Sequence, residues 1–379
     1  MHRGDRDGRI GPAAPELLRS LLQRLGDLGI TRLGDITGLD RIGIPVMQAA
    51  RPLSLSNSVS QGKGATVEVA ALSAILEAAE CFFAERVAHF TATTAAAEAL
   101  AVAPATFARH LTEDCPPSWQ GQNIAWVDAE DLVSSSKAYI PMGLVHTAYV
   151  HPPDRQDAWF KASTSGLAVA GTRHDAVLHG LLECFERDAL SRAQATHGFF
   201  QRRRIDPATI ADRDLNDLLE KVEGAGLLAG LWQAEAFGGV PVIWCHLLEA
   251  DSQSGTLIPF PAEGSAAGLD PARAACRAIR EAAQARLAAI SGAREDITRL
   301  SYPRYPDWDM IEAHRRLLRD GPRPMRFESL FTGTGEDWLA RLLELGLSSI
   351  LVVDLETAPF ADLAAVKVLV PDLAPLDEA

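Results

Sequence analysis

The sequence predicts an α+β fold with mixed and antiparallel sheets and long glutamate-bearing helices. Three observations lead there. Residues 67–87, 173–194 and 272–291 hold long helical patterns rich in Ala and Leu. Short alternating or β-branched runs, bounded by Gly, Pro and Asp, read as strands. The two kinds of element mix without the strict strand–helix alternation of a parallel α/β sheet. With 379 residues, 47% of them hydrophobic, the chain can bury a large core, and no low-complexity linker divides it.

Taken in order, residues 1–11 are polar, rich in Gly and Arg, and read as loose chain. Residues 15–28 read as an amphipathic helix with Leu17, Leu18, Leu21, Leu22, Leu25 and Leu28 on its buried side, ended by Gly29. Residues 30–50 read as short strands with tight turns. A polar segment, 54–60, and the turn Gly62-Lys63-Gly64 lead into the first glutamate helix. Residues 95–111 are Ala-rich and read as a helix. Residues 124–127 and 138–150 read as strands of a hairpin or meander. The loop 163–166 precedes the second glutamate helix. Residues 214–223 read as a helix, then 227–235 and 240–248 as paired strands around Gly238-Gly239. Asp270-Pro271 starts the third long helix, with Asp as N-cap and Pro at its first position. A helix over 310–318, a strand over 325–329, a helix over 336–345 and strands over 349–355 and 365–370 follow.

Composition excludes several classes. The formal charge of −14 argues against nucleic-acid and membrane-surface binding, which need a basic footprint. No signal-like segment and no long uncharged apolar run is present, which argues against a membrane span. The cysteines, Cys81, Cys115, Cys184, Cys245 and Cys276, are dispersed, odd in number and without a Cys-x-x-Cys pair. They read as small buried residues in a reducing cytoplasm, not as a zinc or disulfide framework.

The chemistry concentrates on the three long helices. The first carries Glu77 and Glu80, the second Glu183 and Glu186, the third Glu281 and Gln284. Each pair is spaced i, i+3 and shares a helix face, with Ser73 above the first pair. Like charges at this spacing weaken an isolated helix, and a buried acidic pair needs a cation, a proton or a donor. Residues 71–76 (Ala-Leu-Ser-Ala-Ile-Leu) resemble 177–182 (Val-Leu-His-Gly-Leu-Leu), which hints at an internal duplication. Six oxygen-bearing side chains suit hard cations such as Mg²⁺, which keep positions open for phosphates. Two such ions would neutralise a triphosphate. Lys63, Arg187, Arg286 and Arg294 supply cations in the same segments.

The plain alternative is that a Glu-x-x-Glu marks a solvated helix face. Three such pairs on apolar helices, each beside a Gly- or Ser-rich loop, fit that alternative poorly. His174 and His179 lack ligand spacing for zinc. Gly62-Lys63-Gly64 is not a phosphate-binding P-loop, because Asn57 stands where that motif's first Gly belongs and Gly64 follows the Lys. What survives is a Gly turn at a helix start, whose N–H groups suit an anion. No serine-nucleophile elbow or dinucleotide fingerprint is present.

In order along the chain, these segments resemble the YcaO family. The likeness runs through Thr37-Gly-Leu-Asp40-Arg-Ile-Gly-Ile-Pro45-Val, Arg51-Pro52, Gln61-Gly-Lys-Gly-Ala-Thr66 and Ser73-x-x-x-Glu77-x-x-Glu80. It continues through Ser165-Gly166, Gly180-Leu-Leu-Glu183-Cys-Phe-Glu186-Arg187-Asp188-Ala189, Glu281-Ala-Ala-Gln284-Ala-Arg286 and Gly292-Ala-Arg294-Glu-Asp296. Residues 366–371 resemble the family's C-terminal strand. By this resemblance, residues 1–30 are an N-terminal segment and helix, and 31–379 a catalytic domain.

The resemblance implies an ATP- and Mg²⁺-dependent enzyme that phosphorylates the oxygen of a peptide backbone amide. A neighbouring Cys, Ser or Thr then gives an azoline, and an external sulfur donor gives a thioamide. It implies that Glu77, Glu80, Glu183, Glu186, Glu281 and Gln284 hold metal. Lys63, Ser73, Arg187 and Arg286 would contact nucleotide, with Ser165 in the adjoining loop. Cys81 replaces an Arg of the family pattern, and Ser165 a common Asn. The tail 371–379 lacks the Pro-x-Pro-x-Pro ending of the azoline branch, and no fused leader-binding domain is recognised. These departures favour thioamide formation beside a separate TfuA-like or leader-binding partner, acting on a precursor peptide. A homodimer is the expected assembly. The alternative is a non-catalytic ATP-binding scaffold.

Overall fold

The leucine stripe of the first helix forms in part: Leu18, Leu21 and Leu28 are buried, Leu17 and Leu25 are half-buried, and Leu22, expected on the buried side, is 45% exposed. α1 (Ala14–Leu22) buries Leu18 and Leu21, and a 3₁₀ turn, Leu25–Leu28, ends at Gly29 in the left-handed conformation. The computed structural model describes residues 14–375 apart from 91, 104, 150–154, 252–259, 269, 294–306, 331–341 and 343.

β1 (Arg32–Asp35), β2 (Val46–Ala50) and β3 (Val59–Lys63) form an antiparallel sheet in that order. α2 (Val67–Ala84) starts at an N-cap, Thr66, whose side chain accepts from the Val69 N–H, and packs on β2 and β3. Next come β4 (Ala92–Ala95), β5 (Ile124–Asp131), β6 (Ser136–Pro141) and β7 (Leu167–Ala170). α3 (Arg173–Ala195) is capped by Thr172, which exchanges hydrogen bonds with Asp175. Such caps contribute roughly 1 kcal/mol each. α4 (Phe199–Arg202), β8 (Ile205–Asp206) and α5 (Arg213–Gly224) lead to β9 (Leu227–Glu235), β10 (Pro241–Glu249) and β11 (Ala262–Ala267), a second antiparallel sheet. α6 (Pro271–Ser291) is capped by Asp270 and closed by Gly292. α7 (Trp308–Asp320), β12 (Met325–Arg326), β13 (Leu351–Leu355) and β14 (Ala364–Leu369) complete the described elements.

The central sheet runs β4-β5-β13-β14-β7, with β6 on β5, and all its ladders are antiparallel. α2 covers β7 from the first sheet's side. α3 lies between β7–β14 and the β9–β11 sheet, whose far face carries α6. Each glutamate helix follows a strand through a short turn: β3 to α2, β7 to α3 and β11 to α6. At two of these joints the strand rests directly on helix backbone. A Cβ on Gly62 would lie 2.0 Å from the Ala74 nitrogen, and one on Gly264 would lie 2.2 Å from the Ala282 nitrogen. Only glycine allows this approach, which sets β3 against the turn of α2 preceding Glu77 and β11 against the turn of α6 that carries Glu281.

The α+β architecture therefore holds, and three local expectations change. Residues 95–111 are not a helix: β4 pairs with β5, and 3₁₀ turns at Ala97–Leu100 and Ala108–His110 follow. Pro104 removes a helical donor there, and the Trp126 Nε1–H donates to the Ala95 carbonyl at 2.9 Å. The strand expected over 138–150 stops at Pro141, where a 3₁₀ turn begins. The strand expected over 325–329 shortens to β12, with a 3₁₀ turn over Phe327–Leu330. Most of the helix expected over 336–345, and Arg294, lie outside the described residues. Among the described residues no helix is long and apolar enough to cross a membrane.

Candidate active site

A cavity of about 1050 Å³ opens between α2, α3 and α6. Nine of the eleven predicted site residues line it: Lys63, Ser73, Glu77, Glu80, Glu183, Glu186, Arg187, Glu281 and Gln284. The helix turns beside β3, β7 and β11 bring the three oxygen pairs to one space. That volume suits a nucleotide with part of a second substrate.

Backbone and side-chain donors fix the carboxylates. The Val169 N–H donates to Glu80 at 3.3 Å, and the Gly166 N–H donates to Glu183 at 3.2 Å. Glu186 accepts from the Ser265 hydroxyl at 2.6 Å and the Ala267 N–H at 3.1 Å. Lys63 pairs with Glu281 at 2.7 Å, and Arg187 with Glu183 at 3.4 Å. Gln284 donates through Nε2 to the Gln61 carbonyl at 3.0 Å, while its buried Oε1 has no partner.

The electrostatics follow from this crowding. Burial and then the neighbouring Glu281 charge push the Glu186 carboxyl up. Burial also pushes on Glu281, but Lys63, Arg187 and Arg277 outweigh it and hold that carboxyl below its usual range. Burial opposes the Arg187 charge, yet Glu183, Glu186 and Glu281 outweigh it and raise the guanidinium further. Cys81 lines the same wall, its thiol pushed up to about 11 mainly by burial.

The residues present fit a magnesium–triphosphate group. Carboxylates and an amide Oε1 left without a donor are hard oxygen ligands, and a buried orphan acceptor suits a cation. No three His, Cys, Asp or Glu among the described residues converge into a closed metal cage. Mg²⁺ usually takes one or two carboxylates plus phosphates and water, so an open set of this kind suits it. Arg273, Arg277 and Arg280 extend the cationic wall along α6. Their spacing of i, i+4 and i+7, continuing to Gln284, was a sequence signal for them. Glu263 also lines the cavity, from a strand where no spacing singles it out.

Two predicted residues lie elsewhere. Arg286 does not line the cavity. Its side chain is 0% exposed, and it donates to Asp40 at 2.9 and 3.2 Å and to Glu249 at 2.9 Å. It is on the reverse face of α6, spent on a buried ion cluster, and the expected nucleotide contact is not in this arrangement. Ser165 lines a second, smaller cavity and accepts from the Ser163 hydroxyl at 2.8 Å. Its neighbour Thr164 lines the large one.

Comparison with known proteins agrees with this architecture. Residues 61–374 match the family described as YcaO cyclodehydratase, ATP- and Mg²⁺-binding. The chain belongs to the YcaO family, and that family is ATP- and Mg²⁺-binding. It is 32% identical to an uncharacterised protein from the tfuA 3′ region of Rhizobium leguminosarum bv. trifolii, over 97% of this chain and 88% of that protein. The fold matches YcaO from Methanopyrus kandleri bound with AMPPCP and Mg²⁺, with a TM-score of 0.69 and 22% identity over 94% of this chain and 90% of that one. It also matches a heterocyclase in complex with substrate and cofactor, with a TM-score of 0.70 and 18% identity over 94% of this chain and 52% of that one.

Proposed function

We propose that this protein uses ATP and Mg²⁺ to phosphorylate a backbone amide oxygen of a peptide, and that an external sulfur donor then converts the amide to a thioamide. The carrying observation is the single cavity lined by three oxygen pairs from three helices, with Gln284 Oε1 left without a donor. When bound, Mg²⁺ would supply charge neutralisation to the β- and γ-phosphates. Glu77, Glu80, Glu183, Glu186, Glu281 and Gln284 would hold it. Lys63, Arg187, Arg277 and Arg280 would meet phosphate oxygens, and Ser73 would contact nucleotide.

An amide oxygen is a poor leaving group until it is phosphorylated. Positioning and charge neutralisation therefore carry the catalysis. The carboxylates locked by Ser265, Gly166 and Val169 are preorganised for it. Membership in a cyclodehydratase family supports amide activation. The relative beside tfuA supports the sulfur branch and a separate TfuA-like partner. Free cysteines among the described residues support a reducing, cytoplasmic setting.

The test is calorimetric titration of AMPPCP with and without Mg²⁺. Wild type should bind only with the metal, and Glu80→Ala and Glu183→Ala should lose that Mg²⁺-dependent binding. Unchanged affinity in both variants would remove the site assignment. A coexpressed precursor peptide that gains sulfur for oxygen would support thioamide formation, whereas loss of water would replace it with azoline formation.

A further inference from the structure

A second cavity of about 40 Å³ lies behind the first, between α3, β14 and the segment before β7. Arg187 forms part of both walls. The other polar groups on the small cavity include His110, Lys161, Lys367 and Ser163, and among the described residues no carboxylate lines it. Its volume admits a solute slightly larger than water and excludes a peptide or nucleotide.

Two buried groups there lack what their chemistry calls for. Lys367 is 2% exposed and donates to the Ser163 carbonyl at 2.5 Å; no carboxylate is in ion-pair contact with it among the described residues, and the carboxylate whose charge acts on it, Glu183, is already paired with Arg187. A buried ammonium without an anion is costly. His110 is 8% exposed, and its Nε2 has no hydrogen-bond partner. Its other ring nitrogen is engaged by the Val370 carbonyl. Nε2 is then an acceptor waiting for a donor. The cavity thus presents positive charge and one vacant acceptor, the complement of a small anion that still carries one hydrogen.

We propose that this cavity binds hydrosulfide, held by Lys367 and Arg187 at sulfur and by His110 Nε2 at the S–H, as the store from which the activated amide is attacked. This rests on the thioamide reading above. The step balances without an added oxidant or reductant. Sulfur forms the C–S bond at the phosphorylated amide carbon, and the C–O bond breaks with its electron pair leaving on phosphate. The S–H proton departs with that phosphate, so amide, ATP and hydrosulfide give thioamide, ADP and inorganic phosphate.

The experiment titrates sodium hydrosulfide, in oxygen-free buffer, into wild-type protein, Lys367→Met and His110→Gln, each already saturated with Mg²⁺ and AMPPCP. Wild type should bind one equivalent, with sodium bromide competing. Affinity should fall about tenfold or more in each variant, the effect of losing one hydrogen bond to a charged ligand. AMPPCP affinity measured beside it should not move, which guards against a misfolded variant. Absence of hydrosulfide binding to wild type, or equal binding by all three proteins, overturns the proposal. Binding at this site together with a precursor peptide that never exchanges oxygen for sulfur would instead remove the thioamide reading and leave the anion site standing.

Discussion

The two cavities that meet at Arg187 carry opposite burdens. The large one gathers carboxylates from three helices and offsets them with Lys63 and a row of arginines. The small one gathers cations and a neutral imidazole, with no described carboxylate on its wall. The large cavity is built by repetition, a strand, a turn and a helix used three times, so its residues share a spacing. The small cavity is built by convergence: His110, Lys161 and Lys367 come from distant segments that meet only in the fold. Excess of one sign in each marks where a counter-charge belongs. For the large cavity that charge is cationic, and for the small one anionic.

The largest expected effect falls on the scaffold beneath the large cavity. Arg286 binds Asp40 and Glu249 with no solvent exposure, and Arg41 also pairs with Glu249. Arg286→Met would leave two buried carboxylates short of a partner, at a cost of about 3–5 kcal/mol. Denaturant unfolding should report that loss. Mg²⁺-dependent AMPPCP affinity under folding conditions should stay within about twofold, because the side chain does not reach the cavity. A selective loss of nucleotide affinity without loss of stability would restore Arg286 to the nucleotide site.

Arg286 also shows what the sequence made legible. Periodicity revealed the long helices and their oxygen pairs, because i, i+3 spacing places both members on one face. The same geometry argues against Arg286, which follows Gln284 by two residues and so projects about 200° around the helix. It argues equally for Arg273, Arg277 and Arg280, whose spacing follows the cavity face. Ser165 was harder, since within a loop one residue decides which cavity a side chain meets, and Thr164 took the large one. The small cavity had no sequence signature at all. Its histidine sits where an Ala-rich run reads as helix, and the chain there forms a 3₁₀ turn, Ala108–His110, held by the Leu111–Phe160 bridge.

A pH titration of stability probes the small cavity's charge. Burial, then the Lys367, Lys161 and Arg109 charges, pull the His110 pKa from 6.5 to about 4. Above pH 6.5 the imidazole is neutral folded or unfolded, and it costs nothing. Between 6.5 and 4 the unfolded chain binds a proton that the folded protein refuses, so stability is lost as pH falls through that window. The total is on the order of 3 kcal/mol. His110→Gln should flatten the profile there. His246, whose pKa is lowered to about 3 by burial and His314, keeps its own slope in both proteins. Equal slopes in variant and wild type would mean that the folded protein protonates His110 as readily as the unfolded chain does.

A smaller effect tests the preorganisation of the large cavity. The Ser265 hydroxyl holds Glu186 at 2.6 Å, from the strand that backs α3. Ser265→Ala removes no proposed ligand, so the fold and the Ala267 N–H contact should persist. Losing a group that orients a ligand typically costs roughly 10–100-fold in metal affinity. Titrating Mg²⁺ at fixed AMPPCP should show a weakening in that range. An unchanged midpoint would mean that Glu186 is positioned by packing alone, or that it does not hold metal.

The smallest effect is expected where the chain departs most visibly from the family pattern. Cys81 follows Glu80 on α2, lines the large cavity, and stands where the pattern has arginine. The cationic row along α6 lines the same cavity. Cys81→Ala removes one sulfur from a half-buried site beside Ser56, Glu77, Glu80 and Glu85, so stability should change by about 0.5–1 kcal/mol. AMPPCP affinity should stay within about twofold. Cys81→Arg then sharpens the contrast, since an added cation beside Glu77 and Glu80 competes with metal for the same oxygens. If that variant binds Mg²⁺–AMPPCP more tightly than wild type, the cavity is short of positive charge at α2. If it binds more weakly, the arginines of α6 already balance the phosphates, and Cys81 is the smaller residue that lets them.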